Sequence, residues 1–237
     1  MRIEIWSDVV CPWCYIGKRR LETALAGFEH ADDVEIVYRS FQLDPAAPRV
    51  PDQTVAEHLG SKYGGGPAAG QQMVERTEAV AAEEGLLFRL GEAQRSNTVD
   101  AHRILHLALE TGGPTQQAAL KEELLAAYFL RAENVADHDL LRRTAEKAGL
   151  DSEAVDAVLA TDRYADAVER DIREATALGA TGVPFFVIDR KYGVSGAQPA
   201  EAFGQVLDRA WAEAHPQLEQ VGTAQTDESC GPDGCAV

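Results

Sequence analysis

The chain has 237 residues, 45% of them hydrophobic, which suits one large domain or a domain carrying an insertion. Its formal net charge of −17 disfavours nucleic acid and anionic membranes as partners. No run approaches the ~18 apolar residues of a membrane helix, and Met1-Arg2 leads into a strand pattern without an apolar leader, so a cytoplasmic address is expected.

Ile3-Glu4-Ile5-Trp6 alternates as a strand does. The helical pattern that follows runs to Leu25, with Ile16, Leu21 and Leu25 toward a core and Tyr15, Arg19 and Glu22 on another side. Val34 to Phe41 reads as a second strand, stopped by Asp44-Pro45-Ala46-Ala47-Pro48. From there to about residue 178 the pattern is helical. Thr54–Tyr63 ends at Gly64-Gly65-Gly66, and Gly70–Glu84 ends at Gly85. A helix capped by Ser96 or Asn97 runs to Gly112-Gly113-Pro114, and Gln116–Arg131 is strongly amphipathic. Two short helices, 137–148 and 151–160, precede Tyr164–Leu178.

The period then returns to strand in Val183–Ile188 and Tyr192–Ser195, a hairpin turning at Asp189-Arg190-Lys191. A helix over Glu201–Ala214 closes the pattern. Separated strands must share one sheet to bury their apolar faces. The expected domains are therefore an α/β domain from 1–45 and 179–215, including helix 163–178, and a helical insertion over 46–162. The tail 216–237 is polar, acidic and expected to be flexible.

Chemistry concentrates in Cys11-Pro12-Trp13-Cys14, between the first strand and its helix. A Cys-x-x-Cys in that place is the redox arrangement of thioredoxin-like proteins. The helix N-terminus favours a thiolate on Cys11, and Pro12 needs no hydrogen-bond partner in a first turn. Exchange through a mixed disulfide asks for a reachable Cys11 as nucleophile and a buried Cys14 to resolve it. Trp13 either supplies an apolar platform or packs on the helix, and Asp8 either accepts a proton from Cys14 or caps the loop. A zinc site would need further ligands at recognisable spacing nearby, and no metal is expected. His102 and His106, four residues apart on a helix, read as surface or packing residues.

Three segments together, Ser7-Asp8-Val9-Val10-Cys11-Pro12-Trp13-Cys14, Thr181-Gly182-Val183-Pro184-Phe185-Phe186-Val187-Ile188 and Tyr192-Gly193-Val194-Ser195-Gly196-Ala197-Gln198, resemble the FrnE-type proteins of the DsbA-like branch of the thioredoxin superfamily. The resemblance implies a thioredoxin-like fold with a large all-helical insertion. It also implies a cis Pro184 facing the active-site sulfurs, a Val183 backbone that pairs with an extended substrate, and protein or small thiol and disulfide substrates. Disulfide reductase or isomerase activity is expected, without a bound cofactor.

The same branch includes glutathione-dependent 2-hydroxychromene-2-carboxylate isomerases and kappa-class glutathione transferases. Ser96-Asn97-Thr98 resembles their glutathione-side segment, which implies glutathione as a co-substrate near Asn97; a helix cap suffices alone to explain Asn97 and is the favoured reading. Retention of both Cys11 and Cys14 favours disulfide exchange over that alternative. A non-catalytic, chaperone-like module is a third reading. In the tail, Cys230-Gly231-Pro232-Asp233-Gly234-Cys235 carries a strong turn signal. Cys230 and Cys235 are expected either to relay electrons to the first pair, to be incidental, or to bind metal weakly. Neither the direction of electron flow nor the oligomeric state is set by these patterns.

Overall fold

The computed structural model describes residues 1–216. Four strands, β1 (Arg2–Ser7), β2 (Glu35–Ser40), β3 (Phe185–Ile188) and β4 (Tyr192–Ser195), form one sheet in the order β2-β1-β3-β4. β1 runs parallel to β2 and antiparallel to β3, with Trp6 opposite both Arg39 and Phe185. Parallel neighbours need a crossover. Helix α1 (Pro12–Ala26) lies in that connection.

β1 is central and covered on both faces, which is why its residues from Ile3 to Ser7 are all buried. Ile3 and Ile5 pack with Leu21 of α1 and with Phe203 and Leu207 of α8 (Ala200–Ala214). Trp6 faces the other way, with Phe185, Val187 and Ala175 of α7 (Ala165–Ala177). Each fully buried large side chain of this kind contributes about 1.5–3 kcal/mol relative to exposure. The Trp6 Nε1–H donates to the Asp171 carbonyl at 2.7 Å, satisfying the one polar atom that the ring buries. The Asp171 carboxylate takes the Ser40 N–H at 2.8 Å and so ties α7 to the end of β2.

The insertion comprises α2 (Val55–Tyr63), α3 (Gly66–Glu83), α4 (Val99–Arg131), α5 (His138–Lys147) and α6 (Ser152–Leu159). α2 opens on a capping box, with Thr54 N–H donating to Glu57 Oε2 and Glu57 N–H donating to Thr54 Oγ1. α4 breaks at Gly113 (φ 68, ψ −167), where Gly112-Gly113-Pro114 signals a stop and restart. The core of the insertion is built on Ile104, Leu107, Leu120, Leu124 and Phe129. Val9, Tyr15 and Ile16 enter that same core from the chain around the start of α1.

Three local expectations change. α3 begins at Gly66 rather than Gly70, because Gly65 adopts a left-handed conformation (φ 87) and Pro67 starts the helix at once. Gly70 is an interior helix residue instead, at a point where a Cβ would run into the Ala56 carbonyl of α2. β3 begins at Phe185, after a proline that has no N–H to give the ladder. Tyr15, on the side of α1 away from Leu21, is fully buried and stacks on Phe88 at 5.8 Å, because the insertion covers that side.

Candidate active site

Cys11 is the N-cap of α1 and Pro12 its first residue, so the first turn needs no N–H from that position. Cys14 lies one turn in, its N–H donating to the Cys11 carbonyl at 3.0 Å. The Cys11 Sγ lies 3.5 Å from the Val183 carbonyl oxygen, and the Val183–Pro184 peptide bond is cis. Gly17 lets this loop approach α1: a Cβ there would stand 3.2 Å from both Pro184 and Phe186. The sheet thus carries the proline loop to the start of α1 by way of β3.

Both cysteines are free thiols. Cys11 is only 2% exposed and Cys14 3%, whereas an exposed Cys11 was expected. The chain before α2 and the helices of the insertion close over the site. Cys11 instead lines a cavity of about 370 Å³. Trp13, Leu43, Val55, Leu59, Leu90 and Tyr128 contribute apolar walls, and His58, Lys62 and Arg95 polar ones. Trp13 is 42% exposed and lines this cavity rather than packing on the helix. Val183 also lines the cavity.

Beneath the sulfurs lies a group of buried polar side chains. The Asp8 carboxylate accepts the Val9 and Leu43 N–H groups, each at 2.8 Å, and His102 Nε2 stands 3.1 Å away. Burial raises the Asp8 pKa, but His102 and the Leu43 N–H outweigh it and hold the group below its ordinary value. Burial lowers His102 as well, against the pull of Asp8, so a neutral imidazole donates to a carboxylate. These bonds make Asp8 the cap of its loop and a tether for Leu43. They leave it poorly suited to take a proton from Cys14.

The two thiols titrate as a pair. The Cys11 thiol is pushed well up, since it donates to Cys14 and is desolvated. Desolvation resists ionisation of Cys14 too, but the Cys11 S–H, the Lys121 charge and the Ser7 hydroxyl together bring it below its ordinary value. Burial thus resists ionisation of both thiols, against the favourable end of the helix at Cys11.

Asn97 lies outside the cavity lining, which its neighbour Ser96 joins. Its side chain donates to the Ala47 carbonyl at 2.9 Å and accepts the Val99 N–H at 3.0 Å, so it secures the start of α4. His106 Nε2 lies 3.1 Å from both Ser40 Oγ and Asp171 Oδ2, a packing role beside β2. Among the described residues, no group of three or more His, Cys, Asp or Glu is placed to hold a metal. Cys230 and Cys235 lie outside the described residues.

Lys121 and His102 were missed by sequence reasoning. Lys121 did carry a signal: it occupies the apolar stripe of its helix between Gln117 and Leu124-Leu125, where a solvated lysine does not fit.

The DSBA-like thioredoxin domain matches residues 2–208. The chain belongs to that family. Its four-stranded sheet, helical insertion and Cys-x-x-Cys at α1 are the DsbA-like thioredoxin fold. A crystal structure of a probable DsbA oxidoreductase from Streptomyces coelicolor is 49% identical, with a TM-score of 0.84 over 100% of this chain and 99% of that one. Two more distant structures share the DsbA-like fold. A 2-hydroxychromene-2-carboxylate isomerase is 15% identical with a TM-score of 0.67, over 90% of this chain and 98% of that one. The cytosolic disulfide reductase DsbM from Pseudomonas aeruginosa, solved with GSH, is 18% identical with a TM-score of 0.58 over the same shares of the two chains. Membership in the DsbA-like family supports a redox enzyme.

Proposed function

We propose that the chain is a dithiol–disulfide oxidoreductase, working as a net reductase or isomerase in the cytoplasm through Cys11 and Cys14. The observation that carries this reading is the pairing of two free thiols at the start of α1, with Cys11 on the cavity wall and Cys14 beneath it. The Cys11 thiolate attacks one sulfur of a substrate disulfide. A Cys11–substrate S–S bond forms, the substrate S–S bond breaks, and the departing thiolate takes a proton from water. Cys14 then attacks the Cys11 sulfur, its proton passing to the second departing thiolate. Two electrons move to the substrate, and two thiols leave. Glutathione, as co-substrate, returns the pair to the dithiol by the reverse exchange.

The cavity supports substrates that place an apolar group beside their disulfide, on Trp13 and Leu59, with the Val183 backbone alongside. Trapping tests the scheme. Cys14→Ser should accumulate a Cys11-linked mixed disulfide visible by mass spectrometry, whereas Cys11→Ser should form none and lose turnover. Equal adduct formation by Cys11→Ser would exclude Cys11 as the nucleophile.

The fold shared with 2-hydroxychromene-2-carboxylate isomerase favours a second reading, glutathione-dependent isomerisation at the same cavity. It predicts stoichiometric glutathione binding without disulfide exchange.

A further inference from the structure

Between β2 and α2 the chain crosses the exchange site as a strap. Residues 41–53 are neither helix nor strand, yet Leu43, Asp44 and Ala47 from this stretch wall the cavity that Cys11 lines. Pro45, Pro48 and Pro51 stiffen it, and its backbone groups take their partners from elsewhere in the molecule. The Leu43 N–H donates to Asp8 Oδ2 at 2.8 Å, Arg95 Nε donates to Asp44 Oδ2 at 2.7 Å, and the Arg95 N–H donates to the Gln53 carbonyl at 3.1 Å. Between these ties Asn97 takes hold twice. Its side chain donates to the Ala47 carbonyl at 2.9 Å, and its backbone N–H donates to the Pro48 carbonyl at 3.1 Å. Asn134 Nδ2 holds the Arg49 carbonyl at 3.2 Å. The other end of the Asn97 amide accepts the Val99 N–H at 3.0 Å, so one side chain fastens the strap to the start of α4. Asn97 does not line the cavity, so its influence on a substrate there passes through the strap.

We propose that the strap of residues 41–53 sets the bulk of the disulfide that reaches Cys11, and that Asn97 is the positioning residue that holds the strap down. This rests on the reading of Cys11 as the exchanging thiol. Cys11 is 2% exposed and opens into a cavity of about 370 Å³, a size that suits small molecules. A compact disulfide reaches the sulfur through that cavity with the strap in place. A disulfide within a polypeptide brings backbone on both sides of its sulfur, which requires the strap to lift. The chemistry is the same in both cases: the substrate S–S bond breaks, Cys11 and Cys14 become joined, and two thiols leave. Only access differs. The open fraction of the strap therefore enters the rate for bulky disulfides and not the rate for compact ones.

Asn97→Asp separates the two ends of that side chain. A carboxylate keeps an acceptor for the Val99 N–H and suits a helix start, but has no donor for the Ala47 carbonyl. Asn134→Asp does the same at Arg49, keeping the acceptor for the Ala136 N–H. Prereduced protein is mixed with dithiodipyridine as the compact disulfide or insulin as the bulky one, and single-turnover rates are read. Backbone hydrogen exchange over residues 41–53 is followed in the same proteins. In Asn97→Asp that exchange should quicken. The ratio of the insulin rate to the dithiodipyridine rate should rise by about three- to tenfold, the gain in open fraction on losing one hydrogen bond. Asn134→Asp should act in the same direction. A folded Asn97→Asp with quickened exchange and the wild-type ratio would overturn the strap as a size filter. Wild-type exchange in that variant would overturn Asn97 as its holder. If Asn97→Asp does not fold, Asn134→Asp decides by the same readouts. Failure of the wild-type protein to reduce either disulfide would instead remove the exchange reading. The strap is then tested by alkylation of Cys11 with a polyethylene glycol maleimide relative to iodoacetamide, with the same rise expected in Asn97→Asp and an unchanged ratio overturning it.

Discussion

Asp8 and His102 show how one buried pair shapes both the loop and its response to pH. Both have folded pKa values below the ordinary 3.8 of Asp and 6.5 of His. The unfolded chain therefore binds more protons than the folded one as pH falls through each range. The stability that each contributes is complete above its ordinary value and is lost as pH drops toward its folded value. Loss from His102 should begin below about pH 6.5, before the carboxylates join it. In His102→Gln, which can still donate to Asp8, the upper part of this decline should disappear from a plot of melting temperature against pH. An unchanged profile would show that His102 has the same pKa in the folded and unfolded chain. Nothing in the spacing of His102 and His106 announced that one meets Asp8 and the other Asp171. Each partner is distant in sequence, and packing alone decides the pairing.

At the scale of elements, the site depends on how α1 is gripped from two sides. Gly17 admits the Pro184 loop on one side, and Tyr15 docks the insertion on the other. The Tyr15 hydroxyl donates to Glu122 Oε1 at 2.6 Å, and Lys18 and Arg19 pair with the same carboxylate. Burial raises Glu122, but Arg19, Lys18 and Tyr15 outweigh it and hold its pKa at about 2. The contact of α2 with α3 shapes the far wall of the cavity, since Leu59 comes from one and Met73 from the other. Gly70→Ala would place a methyl against the Ala56 carbonyl and force the two helices apart. We expect it to destabilise the fold by about 1–3 kcal/mol in urea titration. The cavity should also widen, with a raised KM for apolar disulfides. Helix periods and glycine stops made these elements legible, but the start of α3 was misplaced. A glycine-rich stretch reads as loop unless the close approach that requires glycine is seen.

For the whole molecule, the insertion is more than a cover. It supplies Tyr128 and much of the wall of the cavity that Cys11 lines. The tail remains a separate proposal, in which Cys230 and Cys235 relay electrons to Cys11 and Cys14. Cys230→Ser with Cys235→Ser should then lower steady-state turnover several-fold while leaving single-turnover exchange at Cys11 unchanged. Equal steady-state rates would show that the second pair takes no part.

The sequence by itself determined the α/β architecture with its helical insertion, the place of the Cys-x-x-Cys at a helix start, and the family. These follow from local periodicity, turn chemistry and spacing, all of which are written along the chain. Tertiary structure decided the burial of Cys11, the carboxylate that His102 meets and the burial of Lys121. Those depend on side chains brought together across long separations, and on a desolvation that exists only once the insertion closes over the sheet.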